Sequence, residues 1–248
     1  MEEQPEEEAM PHTVTLKQRK EYAGDVLFAE FSRPADYAFT AGQWCFLALP
    51  DRGIADERGL RRHLSITSAP EEDHLGFATK ISDSAFKQTL ARIEIGEEIR
   101  VEAPKGRLHL PADTDRPVCF LAGGIGITPF RSLAVHSTRS STGHRITLLY
   151  SSRTPEEAVF LDEFQALGGE NARFRFVATM TRMQQSQRSW AGREGRMDSQ
   201  VIREEFPEWE RGAFYVAGPP NMVGTMLELL AELAVPEERI TVEKFMGY

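Results

Sequence analysis

Up to about residue 103 the apolar positions fall in short alternating or continuous runs, at 13–17, 26–31, 44–49, 63–67, 76–81 and 98–101. Gly24, Gly42, Pro50, Gly53, Pro70 and Gly96 separate them. Runs of that length and spacing predict an antiparallel barrel or sandwich. One stretch breaks the pattern. Phe86, Leu90 and Ile93 recur at helical spacing and predict a helix from 84 to about 93, with Asp83 or Ser84 as its cap. Pro104-Lys105-Gly106 closes the last run with a turn. Beyond a polar, proline-bearing link at 111–117 the periods change. Strand-like runs at 118–122, 146–150, 173–179, 213–217 and 239–243 alternate with helical patterns near 129–138, 156–167, 198–205 and 221–234. Such alternation builds a doubly wound parallel sheet, which binds ligands at the carboxyl ends of its strands. The predicted fold class is two-domain: an antiparallel β-barrel over 12–112, then an α/β doubly wound parallel sheet over 113–248, after a tail at 1–11.

The richest local signal is Leu-Ala-Gly-Gly-Ile-Gly-Ile-Thr-Pro at 121–129. It follows the apolar run 118–121 and precedes a helical pattern. A glycine-rich strand–helix turn is a phosphate-binding device. The glycines let the backbone approach the ligand, and the helix N-terminus offers unpaired N–H groups and partial positive charge. Thr128 reads as the N-cap and Pro129 as the first helical residue. A tight turn with no ligand is the alternative.

Composition narrows the classes. The 41% hydrophobic and 27% charged content is that of a globular protein. No apolar run reaches membrane-spanning length, and no N-terminal segment reads as a signal peptide, so a cytoplasmic setting is expected. Glu2, Glu3, Glu6, Glu7 and Glu8 supply five of the nine net negative charges and predict a disordered acidic tail. The remainder carries no basic excess that would point to nucleic acid. The six histidines show no metal-ligand spacing and no Gly-x-Ser-x-Gly elbow occurs, so no metal site is expected. Cys45 and Cys119 sit in apolar runs and read as buried reduced thiols. Two cysteines cannot ligate a conventional iron–sulfur cluster, which takes four protein ligands.

Three further motifs stand in order. They are Arg-His-Leu-Ser at 62–65 before Ile-Thr-Ser-Ala-Pro, Tyr-Val-Ala-Gly-Pro-Pro-Asn-Met at 215–222, and the final Val-Glu-Lys-Phe-Met-Gly-Tyr. With the glycine turn, this order and spacing resembles the ferredoxin–NADP reductase family of flavin enzymes over roughly residues 12–248. The resemblance implies a flavin-binding barrel, a NAD(P)-binding parallel sheet, and hydride transfer from NAD(P)H to bound flavin. FAD is the expected flavin and FMN the alternative. Many relatives carry an iron–sulfur cluster in the same chain. This one lacks the cysteines, so electrons are expected to leave singly to a separate carrier such as a ferredoxin or flavodoxin.

The resemblance also implies site residues. Arg62 offers a planar fork for the flavin phosphates, with an ion-paired surface role as the plain alternative. Ser65 lies within reach of the flavin ring, and His63 and Thr79 are counted among the contacts. Leu64 stands where the family has Tyr or Phe, so it covers the ring without aromatic stacking. At the start of the helix a family Gly-x-x-Ser turn is replaced by Ser84-Ala85-Phe86-Lys87. Ser84 is counted with the helix terminus, and Lys87 either reaches a phosphate or faces solvent.

For the nucleotide, Gly123, Gly124, Gly126, Thr128 and Pro129 form the first turn; Ala217, Gly218, Pro219 and Met222 form a second at the same sheet edge. Ala217 replaces the usual family Cys beside the nicotinamide. Met222 also begins a stripe with Met226, Leu229 and Leu233 that reads as core. Ser151 and Arg153 end the second strand with no carboxylate immediately beside them, which suits a 2′-phosphate; Arg153 alternatively pairs with Glu156 or Glu157. NADPH or NADH is the donor. Phe245 and Tyr248 are the candidates for the C-terminal aromatic that covers the flavin and moves aside for nicotinamide. Arg52, Arg58, Arg61 and Arg62 read either as a solvated loop or as a docking patch for an acidic carrier. Free flavin, ferric chelate, quinone or oxygen as acceptor, a subunit without turnover of its own, and a flavin-less nucleotide-binding module are the other readings.

Overall fold

The structure, a computed structural model, describes residues 10–245. The glutamates of the predicted tail, and Tyr248, lie outside the described residues. Among the described residues the first half forms six strands: β1 (His12–Tyr22), β2 (Val26–Ser32), β3 (Trp44–Ala48), β4 (Arg61–Ser65), β5 (His74–Lys80) and β6 (Glu98–Val101). Their order is β4-β3-β6-β1-β2-β5, with every ladder antiparallel. The two edge strands approach each other, curling the sheet into a barrel around Phe31, Leu47, Ile66, Phe77 and Phe86. The β1–β2 turn places Gly24 at φ +73° and Asp25 at φ +61°, the left-handed pair that a tight hairpin requires. β1 runs beyond its predicted end at Lys17. Its further residues are polar and exposed, and pairing with β2 holds them extended. Between β5 and β6, α1 (Ala85–Leu90) buries Phe86 and Leu90. Ser84 rather than Asp83 caps it, accepting from the Lys87 N–H at 3.4 Å. The helix ends before Ile93, which still reaches the barrel core from the following turn.

The second half alternates β7 (Val118–Gly123), α2 (Thr128–Arg139), β8 (Ile146–Ser152), α3 (Leu161–Glu170), β9 (Phe174–Met180), β10 (Arg193–Glu194), α4 (Ser199–Glu205), β11 (Ala213–Gly218), α5 (Pro220–Glu232) and β12 (Ile240–Lys244). The order β10-β9-β8-β7-β11-β12 is parallel throughout. The chain starts at β7, winds outward through β8 and β9, then returns to β11 on the other side. The switch point between β7 and β11 is where such sheets leave a crevice for a ligand. Helices on both faces bury β7 and β11 completely, so these strands read as unbroken apolar runs. One apolar cluster spans both halves, with Val26, Phe28, Ala69 and Ala78 of the barrel packed among residues of the parallel sheet. Among the described residues no helix is long and apolar enough to cross a membrane.

Two local expectations are corrected. Thr128 is not the cap of α2. A 3-10 turn, Gly124–Ile127, runs directly into the helix, and the Thr128 hydroxyl donates to the Ile125 carbonyl at 3.0 Å. The next helix begins at Leu161, not 156, because Phe160 holds φ +60° and no helix passes through that conformation. The turn drives its ring edge-on against Phe28 at 5.2 Å. The short strand β10 had no periodic signal to announce it.

Candidate active site

Two cavities open at the seam of the halves and share Ile125. The first, about 420 Å³, is bounded by β4, β5, the start of α1 and the end of β12. All seven residues expected to contact flavin, Arg62, His63, Leu64, Ser65, Thr79, Ser84 and Lys87, line it, as does Phe245. Ser65 and Thr79 are buried.

Positive charge is crowded here. Arg58, Arg62 and Lys87 line the wall, with Lys80 nearby. Burial, and then the charges of Arg58, Lys80 and Arg62, push the Lys87 amine below its usual range. Arg62 donates from Nη1 to the carbonyl of Arg61 at 2.7 Å and to that of Arg58. Its Nη2 is sealed from solvent with no hydrogen-bond partner among the described residues, 3.6 Å from Asp56 Oδ1. Like charges held together beside an unsatisfied donor suit a ligand with more than one negative charge, as a pyrophosphate has.

The α1 terminus contributes less than expected. The Ala85 N–H donates to Asp56 Oδ2 at 2.7 Å and the Lys87 N–H to Ser84. Side chains therefore supply the anion site. Asp56, in the loop before β4, caps α1 from outside and lies beside Arg62.

β12 delivers a second group that the sequence reading missed. Glu243 pairs with Ala217 across the β11–β12 ladder and lines the first cavity. The residue is half-buried, but its Oε2 is sealed and has no hydrogen-bond partner among the described residues. Burial pushes its carboxyl up to about 7. Phe245 follows, its N–H donating to the Gly218 carbonyl at 3.1 Å. This bond holds its backbone at the switch point, with the side chain on the cavity wall.

The second cavity, about 360 Å³, lies over the carboxyl ends of β7, β8 and β11. Gly123, Gly124, Ser151, Arg153, Pro219 and Met222 line it. Gly124 has φ +51° and open space where a side chain would stand. Gly126, Thr128, Pro129, Ala217 and Gly218 are not on its wall; they are buried and hold the turn in place. A Cβ on Gly126 would stand 2.5 Å from the Gly218 nitrogen and closer still to the Ala217 carbonyl. Arg153 pairs with Glu157, Nη1 to Oε2 at 3.5 Å, and not with Glu156. Glu157 itself lines the cavity, so a carboxylate does reach it, six residues beyond Ser151. The barrel closes the far side with Gly24, Val26 and Lys80.

Three of the four arginines clustered beside the first cavity are charge-balanced, while Arg58 adds to the positive wall. Arg52 pairs with Glu97, Arg61 with Glu102 at 2.5 Å and Arg62 with Asp56. Among the described residues no group of three metal-ligating side chains is gathered.

Known proteins resemble this chain in sequence and fold. The oxidoreductase NAD-binding domain family matches residues 120–227. Ferredoxin–NADP reductase B of Sorangium cellulosum is 31% identical over 222 residues, 84% of this chain and 86% of that one. The reductase component of propane 2-monooxygenase from Rhodococcus jostii is 30% identical over 86% of this chain; the match takes in 57% of that longer protein. The ferredoxin NADP+ reductase of Neisseria gonorrhoeae, solved with bound FAD and NADP, superposes with a TM-score of 0.77 at 24% identity, over 96% of this chain and 99% of the other.

Proposed function

This chain belongs to the ferredoxin–NADP reductase family, and from that premise we propose that it takes a hydride from NAD(P)H onto FAD held in the first cavity and passes the electrons singly to a separate carrier, a ferredoxin or flavodoxin. The protein's share of such chemistry is binding, orientation and electrostatics. Arg62, Arg58 and Lys87 hold the FAD pyrophosphate. Leu64 covers the ring, Ser65 and Thr79 supply hydroxyls at the cavity floor, and Phe245 closes the cavity from the β12 side. Gly123, Gly124 and Pro219 admit the nucleotide phosphates. Ser151 and Arg153 read the ribose end, and the Glu243 carboxyl, raised to about 7 by burial, gains and loses its proton near neutral pH. We take 12–112 as the flavin domain and 113–248 as the nucleotide domain. A cytoplasmic setting, where thiols stay reduced, suits the buried Cys45 and Cys119.

One observation carries this reading: the two cavities share Ile125, so ligands filling both would meet there. The decisive experiment is an anaerobic visible spectrum before and after NADPH, with NADH in parallel. A flavin spectrum that bleaches supports the reading, and the faster nucleotide identifies the donor. Colourless protein that takes up neither FAD nor FMN sinks it.

The three balanced arginines favour a second reading of the acceptor. With Arg52, Arg61 and Arg62 each matched by a carboxylate, an acidic carrier gains little steering there. A small acceptor, free flavin, ferric chelate, quinone or oxygen, needs no such patch. Turnover with these and none with ferredoxin or flavodoxin would select it.

A further inference from the structure

Arg131 stands one turn into α2, the helix that begins where the glycine turn ends. It is 6% exposed, and all five of its guanidinium N–H groups are used. Nη1 donates to the Thr67 carbonyl at 2.8 Å and to Glu72 Oε2 at 2.8 Å. Nη2 donates to Glu72 Oε1 at 3.2 Å and to Glu163 Oε1 at 2.6 Å, and Nε donates to Glu163 Oε2 at 2.9 Å. The guanidinium carbon lies 5.3 Å from the centre of the Phe160 ring, the residue whose left-handed backbone delays α3.

These partners come from two places, one in each half of the chain. Glu163 belongs to α3 of the parallel-sheet half. Glu72 and Thr67 belong to the barrel loop that follows β4, and Thr67 is two residues beyond Ser65. A single side chain therefore joins the helix behind the nucleotide turn to the segment behind the flavin-facing serine. Beside it the Ser132 hydroxyl donates to the Ser68 carbonyl at 2.7 Å, while at the exposed rim of the seam His136 meets Glu71 at 2.7 Å.

The chemistry of the joint is demanding. Glu72 is 7% exposed, and Arg131 with Arg139, 3.4 Å from Oε1, supplies its counter-charge. A cation in the first turn of a helix is disfavoured by the helix dipole. Here two carboxylates compensate it. A buried pair holds its geometry because any displacement strands a charge without solvent.

We infer that Arg131 is a positioning residue: it fixes the approach of the bound nucleotide to the flavin by locking the helix of the glycine turn onto the loop that follows Ser65. The inference rests on the proposed reductase reading. Hydride transfer is steeply sensitive to donor–acceptor geometry. A joint two residues from one reacting site and one helical turn from the other controls that geometry more directly than a contact at the rim of the seam.

Lysine keeps the charge but offers three donors from one point, so Arg131→Lys satisfies at most three of the five bonds. The test compares wild type, R131K and, as a rim control, H136A. The first measurement is anaerobic flavin bleaching at saturating nucleotide, with protiated and 4-deuterated donor. R131K is expected to lower the limiting rate about tenfold and change the isotope effect. Flavin content and nucleotide dissociation constant should stay within about twofold of wild type, and H136A should match wild type. The second measurement is amide exchange of the ligand-free protein, where R131K should speed exchange at 66–72 and 124–131 together. An R131K rate and isotope effect equal to wild type, or exchange that rises at one segment alone, overturns the inference. A wild-type protein with flavin that neither nucleotide bleaches overturns the reductase reading instead, and the exchange result then decides whether the joint exists.

Discussion

Gly126 packs directly against the carbonyl of Ala217, so that the glycine turn after β7 and the end of β11 touch backbone to backbone. The neighbouring Gly124, at φ +51°, has nothing within 4 Å of where a Cβ would be. The two glycines are required for different reasons. We expect Gly126→Ala to cost about 3 kcal/mol or more, because backbone on both sides must shift. Gly124→Ala should cost about 1 kcal/mol of backbone strain and act mainly on nucleotide binding. Urea unfolding of both variants checks the order; equal costs would mean that the close approach at Gly126 is not what demands glycine.

Arg62 lines the first cavity, and its Nη2 has no hydrogen-bond partner among the described residues. Arg62→Ala should therefore lose its flavin on gel filtration while keeping the far-ultraviolet circular dichroism of the wild type. Full flavin occupancy in the variant would remove Arg62 from the phosphate site.

Arg153 and Glu157 pair with each other on the wall of the second cavity. Arg153→Ala should raise KM for NADPH about tenfold, the scale of one charge-assisted hydrogen bond, and leave KM for NADH unchanged. Glu157→Gln should release Arg153 and lower KM for NADPH. If both nucleotides respond equally, neither residue reads the 2′ position.

Glu243 sets a pH dependence whose sign follows from burial. Its carboxyl titrates at about 7 in the folded chain, above its ordinary value of 4.5. Between those values the folded state binds the extra proton, so its contribution to stability is complete below 4.5 and is lost as pH rises through 7. Melting temperature should fall between pH 5 and 8 in the wild type and fall less in E243Q. The same slope in both proteins would assign the titration to another group.

Much of the architecture was legible in the chain. The switch from short runs to alternating blocks near residue 111 marks the change from barrel to parallel sheet, because the two architectures bury strands differently. β2 and β7 were found where their apolar runs stand. The outer half of β1 was not, since Lys17–Glu21 is polar and held extended only by its partner strand. Nor was the late start of α3, which depends on Phe160 packing against the barrel. Arg62, Ser65, Gly123 and Arg153 could be singled out because each belongs to a motif with neighbours in sequence. Arg58, Asp56 and Glu157 belong to no such motif, and Glu243 stands in the final one without any local signal of its burial; they join the site through a cap, a folded-back turn and a strand ladder.

Residue order alone determined the two architectures and the glycine turns at a strand's carboxyl end, since each depends on local periodicity or on backbone freedom at one position; the arginine and serine of β4 stood out only through the resemblance of their motif. Tertiary structure alone decided which charges meet. It buried Arg131 between Glu72 and Glu163, balanced Arg52, Arg61 and Arg62 against carboxylates 6 to 45 positions away, and left Glu243 Oε2 with no hydrogen-bond partner among the described residues. Electrostatic energy depends on distance through space and on exposure to water, and neither can be read from separation along the chain.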